Sequence, residues 1–371
     1  MSFFDLYARY RDYDLAQVQD SVSPAKVAAA IGSQTHSIRD LAILLSPTAE
    51  DCLEQMAHKA RRLTLANFGR TMQLYTPLYV SDHCVNRCQY CGFNGDNQFA
   101  RTHLSLDEVA REAKAIAATG LKHILLLCGE SRLASPVDYL VECVQVLRNF
   151  FSAIAIEVYA LEEAEYARLI EAGVDGLTIY QETYDENVYA AVHPAGPKRD
   201  FAFRLEAPER GSRAGMRQVN IGALLGLAGW RQEAFMLGLH AWYLMKSFPE
   251  VEVGISLPRL RPHAGGFQAA CPVDDKALVQ ILLALRLFLP HLGISLSTRE
   301  DQSLRDNLLP LGITRLSAGS ITRVGGHGSH AADDNTLPQF EIADERSVDD
   351  IRQMLSARGY DPVLKDWMNL L

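Results

Sequence analysis

The stretch from residue 77 to 318 decides most about this chain, because short apolar runs and amphipathic segments alternate there eight times. The runs are 77–82, 123–128, 154–160, 176–182, 219–225, 252–257, 294–298 and 314–318, short and rich in β-branched residues. Helical patterns follow at 106–119, 136–150, 161–172, 184–190, 199–209, 231–246, 274–289 and 301–308. Repeated strand–helix alternation builds a parallel sheet covered by helices. Eight repeats predict an α/β fold, a (βα)8 barrel of the TIM type. A doubly wound open sheet is the alternative. Ser105 with Glu108 predicts a capping box for the helix at 106, and Gly120 predicts its end.

Two extensions flank this core. Residues 1–75 read as helical: Ser46-Pro47 supplies an N-cap and a first-turn proline, Leu53, Met56, Ala60 and Leu63 recur at helical spacing, and Gly69 supplies a stop. Residues 325–371 open on Gly325-Gly326-His327-Gly328 and read as a long loop with a closing helix near 347–357. The expected division is 1–75, 76–324 and 325–371.

Several function classes are disfavoured. A formal charge of -9 repels phosphate backbones, which argues against nucleic acid as a partner. No apolar run reaches the ~18–20 residues of a membrane span. The longest candidate, 281–296, is interrupted by Arg286, Pro290 and His291. The first fifteen residues mix charges of both signs and hold no cleavable apolar stretch, so nothing suggests export. Seven cysteines, four of them scattered (Cys52, Cys128, Cys143, Cys271), fit a reducing cytoplasm better than a disulfide framework.

The other three cysteines carry the chemistry. Cys84, Cys88 and Cys91 are separated by three and then two intervening residues, in the loop expected after the first barrel strand. Such a loop can wrap one face of a 4Fe-4S cubane and ligate three irons, leaving the fourth open. The competing reading is a structural zinc site completed by His83 or His103. Tyr90, just before the last cysteine, is placed to lie against a nucleobase. Gly129 and Glu130 end the second strand. A glycine lets backbone approach a ligand, and its carbonyl with the next carboxylate can accept from an ammonium group; alone, such a pair usually starts a helix. Glu157, Glu182, Arg259, Arg299 and Ser317 also fall at or near strand C-termini, the end of a barrel where active sites sit.

The cysteine loop resembles that of the radical S-adenosylmethionine (radical SAM) superfamily. Longer strings are similar to one family within it, the tyrosine lyases of thiamine thiazole biosynthesis. They include Leu78-Tyr79-Val80-Ser81, Ile179-Tyr180-Gln181-Glu182-Thr183-Tyr184, His193-Pro194, Gly196-Pro197-Lys198, Asp200-Phe201 and Arg204-Leu205-Glu206. Further along come Pro258-Arg259-Leu260-Arg261-Pro262, Gly265-Gly266, Ser297-Thr298-Arg299-Glu300, Ser317-Ala318-Gly319-Ser320 and Lys365-Asp366-Trp367. The resemblance implies a 4Fe-4S cluster on Cys84, Cys88 and Cys91 and S-adenosylmethionine on its open iron. Reductive cleavage of the cofactor would give methionine and a 5′-deoxyadenosyl radical that attacks L-tyrosine. The products would be 2-iminoacetate and p-cresol.

The resemblance also implies residue roles. Gly129 and Glu130 would grip the cofactor amino group, Arg204 its carboxylate, and Gln181, Glu182 and Glu157 its ribose side. Arg299 and Ser317 would hold the substrate carboxylate, and Tyr79 would touch the substrate. Read without it, Arg204 is a helix-surface arginine, Glu157 and Glu182 are paired groups at the core rim, and Tyr79 packs the barrel. The implied partners are a thiazole synthase and a flavodoxin- or ferredoxin-type electron donor. Related lyases act on tryptophan or serve hydrogenase maturation; the latter carry a further cysteine-bearing domain, whereas the last cysteine here is Cys271. Three positions depart from the expected pattern: Asp82 for asparagine, Cys128 for threonine and His327 for tyrosine.

Overall fold

A computed structural model describes residues 2–328 and 336–365. Eight parallel strands form the core: β1 (Thr71–Ser81), β2 (His123–Cys128), β3 (Ala153–Glu157), β4 (Gly176–Glu182), β5 (Gln218–Ala223), β6 (Glu252–Ser256), β7 (Gly293–Leu296) and β8 (Arg315–Ser317). They pair in chain order, and β1 pairs with both β8 and β2, which closes the ring. The structure is therefore a barrel and not an open sheet. Helices such as Leu106–Ala118, Trp230–Ser247 and Asp275–Phe288 cover the outside. The Ser105–Glu108 capping box is present, and Gly120 follows the helix at φ 89°.

β1 starts earlier than the apolar run at 77–82 suggests. Residues 71–75 are strand rather than helix, because polar Gln73 and Tyr75 point into the barrel while Met72 and Leu74 are fully buried. Its eleven residues serve three neighbours in turn: β9 (Asp361–Val363) at Thr71–Gln73, β8 at Gln73–Tyr75 and β2 from Thr76 on. β9 has no sequence signature, being three residues long with a proline at its centre. The segment expected as one helix at 199–209 is two, Phe201–Leu205 and Ala207–Arg213, which fits Pro208 starting a new helix better than continuing one. Asp366 and Trp367 lie outside the described residues.

Both extensions are built into the molecule. Helices Ile38–Leu44 and Leu53–Phe68 pack on Asp275–Phe288, burying Leu41, Leu44 and Leu45 completely. Each such leucine is worth about 1.5–3 kcal/mol of apolar burial. Phe3 stacks on His240 with ring centroids 3.7 Å apart. Pro47–Cys52 is a 3-10 turn ahead of Leu53–Phe68, and Ser46 makes no side-chain cap there. After β8 the chain crosses the barrel mouth before the helix Val348–Ala357, capped by Ser347 and Asp350.

Candidate active site

The loop after β1 is fixed from within. Leu104 N–H donates to the Val80 carbonyl at 2.9 Å, so the chain returns to where it left the strand. Asp82 closes the base: its N–H donates to Thr102 O at 3.1 Å and its Oδ1 accepts from Thr102 N–H at 2.7 Å. Arg101 draws four carbonyls together, those of Asp82, Phe93, Asn94 and Asn97, at 2.7–3.2 Å. A guanidinium, with five donors in a rigid fork, suits that task.

The same loop is pinned to two strand ends. Gly129 N–H donates to Ser81 O at 2.8 Å. A Cβ on Gly129 would sit 2.5 Å from His83 O and 3.1 Å from the Cys84 Cβ, so only glycine fits there. Val85 N–H donates to Glu130 O at 2.8 Å, and Asn86 Nδ2 donates to Glu130 Oε2 at 2.6 Å. On the β4 side Arg87 and Gln89 donate N–H groups to Ala195 and Val192, and Asn86 Oδ1 accepts from Lys198 N–H at 2.9 Å. Tyr90 is anchored by His193, with 2.7 Å between its hydroxyl and Nε2.

Cys84, Cys88 and Cys91 line one cavity of about 890 Å³ in the barrel mouth, together with Tyr90, Gly129, Glu130, Glu157, Glu182, Arg204 and Arg299. Glu182 ends β4 at φ 71°, beyond a bulge in the β4–β5 ladder. For a non-glycine residue that conformation costs about 1–3 kcal/mol, and such residues cluster at functional sites. It meets Lys198 Nζ at 2.6 Å and Arg204 Nη2 at 3.5 Å. Burial works to raise its pKa, but the two cations win and hold it below the usual carboxylate value. Glu157 has no such partner among the described residues. Burial, then repulsion from Glu182, pushes its pKa up to about 7.

Gln181 does not join this group. Tyr180 and Glu182 line the cavity and Gln181, at the bulge between them, does not; its Nε2 donates to Phe201 O at 3.4 Å.

A second cavity, about 580 Å³, lies deeper in the barrel. Tyr79, Ser317 and Arg299 line it, and Glu157 and Arg299 belong to both cavities. Tyr79 donates its hydroxyl to Gln339 Oε1 at 2.8 Å, and Ser317 Oγ accepts from Thr298 N–H at 3.0 Å. Arg299 has no carboxylate within ion-pair distance among the described residues. Its guanidinium lies 3.4 Å over the Phe340 ring and makes one long bond, 3.5 Å, to Arg259 O. Arg259, in the loop after β6, is instead taken up by Glu300 and Asp275.

The donor set suits an iron–sulfur cluster. Burial pushes the Cys88 and Cys91 thiols up to about 12 and about 11, so thiolates there need a cation, which bound iron supplies. Three thiols lining one cavity can each take a different iron of a cubane. Among the described residues no three Cys, His, Asp or Glu side chains converge on a single ion. His83 and His103 face each other, ring centroids 6.5 Å apart, and neither lines the cysteine cavity.

The Radical SAM superfamily profile matches residues 78–235, and the Biotin and Thiamin Synthesis associated domain matches 256–361. The chain is 40% identical over 367 residues to 2-iminoacetate synthase of Escherichia coli, covering 98% of this chain and 97% of that protein. The chain belongs to the 2-iminoacetate synthase family. As a radical SAM enzyme it uses a 4Fe-4S cluster and S-adenosylmethionine. The FeFe-hydrogenase maturase HydG from Carboxydothermus hydrogenoformans superposes with a TM-score of 0.83 at 30% identity, over 98% of this chain and 83% of that one. Methylornithine synthase, at 21% identity and a TM-score of 0.72, shares the fold.

Within this family member, three groups at the mouth escape a reading of the sequence. Asn86 bridges Glu130 and Lys198 but looks like any polar loop residue. Lys198 pairs with Glu182, and only its place in Gly196-Pro197-Lys198 hinted at a role. Gln339 and Phe340 line both cavities from a tail with no distinguishing motif. The three departures are structural. Asp82 closes the loop base. Cys128 lines the cysteine cavity. His327 bonds the Pro77 carbonyl at 3.1 Å and its N–H donates to Glu112 at 2.6 Å; it lines neither mouth cavity.

Proposed function

We propose that this chain cleaves the Cα–Cβ bond of L-tyrosine to 2-iminoacetate and p-cresol, with methionine and 5′-deoxyadenosine as co-products, for the thiazole of thiamine. The observation that carries this is Arg299: a guanidinium without a carboxylate partner, at the junction of the cysteine cavity and the deeper one. A desolvated guanidinium there favours the carboxylate of an amino acid, which it can grip bidentately. The deeper cavity suits a phenol. Leu125, Leu127 and Leu257 offer apolar walls, while Tyr75, Tyr180 and Ser295 place hydroxyls deepest, where this cavity meets one from the opposite barrel end.

When bound, the cluster and S-adenosylmethionine supply hydrogen-atom abstraction at the upper cavity. The protein's part is to hold and exclude. Gly129 and Glu130 would hold the amino group of the cofactor, and the Glu182–Lys198–Arg204 cluster would hold its carboxylate and ribose. Tyr90, held by His193, would support the adenine. Arg299, with Ser317 beside it, fixes the substrate so that its amino group meets the upper cavity and its ring the lower one.

The reaction consumes electrons, so a flavodoxin- or ferredoxin-type donor is part of this reading. A cytoplasmic setting is as well. The imine product hydrolyses in water, which favours handing it directly to a thiazole synthase. Anaerobic turnover with tyrosine, and separately with tryptophan, tests the substrate. p-Cresol from tyrosine, with no corresponding cleavage of tryptophan, supports it; tryptophan cleavage at equal or higher rate overturns it.

A further inference from the structure

The tail crosses the mouth as a wall, and its attachment is unusually complete. Gly92, next to Cys91, donates its N–H to Gln339 O at 2.9 Å, and a Cβ at Gly92 would stand 2.3 Å from Pro338 O. The cluster loop and the tail therefore touch backbone to backbone. Gln339 N–H donates to Thr322 O and Thr322 Oγ1 donates to Phe340 O, both at 2.8 Å. Ala343 N–H donates at 2.8 Å to Thr298 O, the residue before Arg299. Asp344, buried, ion-pairs with Arg305 and Arg346, and Arg305 also donates to the Ser317 carbonyl.

This wall delivers two side chains to the junction of the cavities. Phe340 lies under the Arg299 guanidinium at 3.4 Å. Gln339 has its Oε1 taken by the Tyr79 hydroxyl at 2.8 Å. That bond sets the amide orientation, leaving Nε2 without a hydrogen-bond partner among the described residues, on a side chain that lines both cavities.

We propose that Gln339 is a second anchor for the substrate carboxylate, donating its Nε2 beside Arg299, and that Phe340 is the positioning residue that aims the Arg299 fork. The proposal rests on the reading of Arg299 as carboxylate anchor. Tyr79 then acts chiefly by orienting Gln339. Specificity for an α-amino acid over the corresponding amine comes from barrel and tail together, and not from the barrel alone.

Gln339→Glu is the sharpest test. The glutamate still accepts from Tyr79 but loses the donor and faces the substrate with like charge. In the cluster-loaded full chain it should raise the tyrosine KM by roughly 10- to 100-fold, as loss of a hydrogen bond to a charged group requires. Inhibition by tyramine, which has the ring and amine but no carboxylate, should stay within about twofold or strengthen. Gln339→Met, which removes the donor without adding charge, should raise the tyrosine KM and leave tyramine inhibition alone. Iron content and S-adenosylmethionine binding report that each variant is folded. Phe340→Leu should act through Arg299, weakening tyrosine and sparing tyramine. Arg299→Lys serves as the reference. If Arg299→Lys weakens tyrosine binding and both Gln339 variants leave KM unchanged, the second anchor is wrong while the first stands. If Arg299→Lys also leaves KM unchanged, the reading of Arg299 has failed. Equal weakening of tyrosine and tyramine by the Gln339 variants overturns the proposal in favour of a purely structural wall.

Discussion

The barrel is hollow at both ends, and both hollows are lined by polar and charged groups, yet they are not equivalent. At the N-terminal end a cavity of about 590 Å³ is lined by Gln73, His123, Gln218, Asn220 and Arg315. Its charge is spoken for: Arg315 pairs with Glu252, and Gln218 donates to the same carboxylate at 2.7 Å. At the mouth, among the described residues, Arg299 has no acid and Glu157 no base within ion-pair distance. Desolvating a charge without pairing it is costly. A fold keeps such groups where a ligand completes them, so unpaired charge marks the working end better than polarity does.

Arg299→Lys should break the mouth most severely. It keeps the charge and loses the planar fork. Tyrosine cleavage should fall by roughly 100-fold, about what losing charge-assisted hydrogen bonds implies. 5′-Deoxyadenosine should still form, because the cofactor contacts proposed here lie elsewhere in the cavity. Measuring 5′-deoxyadenosine against p-cresol checks this, and a ratio unchanged from the parent would remove Arg299 from the substrate.

Glu157 gives a smaller, pH-dependent effect. Its pKa rises from 4.5 to about 7 in the folded protein. Between those values the unfolded chain ionises at this position while the folded one stays protonated. The parent thus has the full benefit below pH 4.5 and loses it as pH rises through about 7. Glu157→Gln removes that loss. The melting temperature of the variant relative to the parent should climb between pH 5 and pH 8, and a constant difference would contradict the raised pKa of the buried Glu157 carboxyl.

The N-terminal end should respond least. Arg315→Lys loosens an ion pair whose carboxylate partner is half exposed, worth about 0–1 kcal/mol. Turnover should stay within about twofold of the parent, since no reacting group is nearby. A loss matching that of Arg299→Lys would show that unpaired charge does not separate the two ends.

How much of this is legible in the sequence follows from range. The eight strands and the helix capped at Ser105 are local patterns, and they appear where expected. Cys84, Cys88, Cys91, Gly129 and Glu130 are brought together because barrel topology puts the ends of β1 and β2 side by side. Gln181 went astray at the bulge before Glu182, which leaves its side chain outside the cavity. The start of β1 was hidden because polar Gln73 and Tyr75 face a hollow interior. Gln339 and Phe340 were invisible, since about 260 residues separate Gln339 from its partner Tyr79 and no periodicity encodes such a contact.

The account stands or falls on the cysteine loop. Anaerobically reconstituted protein should bind about four irons and as many sulfides per chain, as one cubane requires. The variant with Cys84, Cys88 and Cys91 all replaced by alanine should bind none, whereas alanine at Cys143 or Cys271 should leave the content unchanged. Full iron and sulfide content in the triple variant would contradict the site described here.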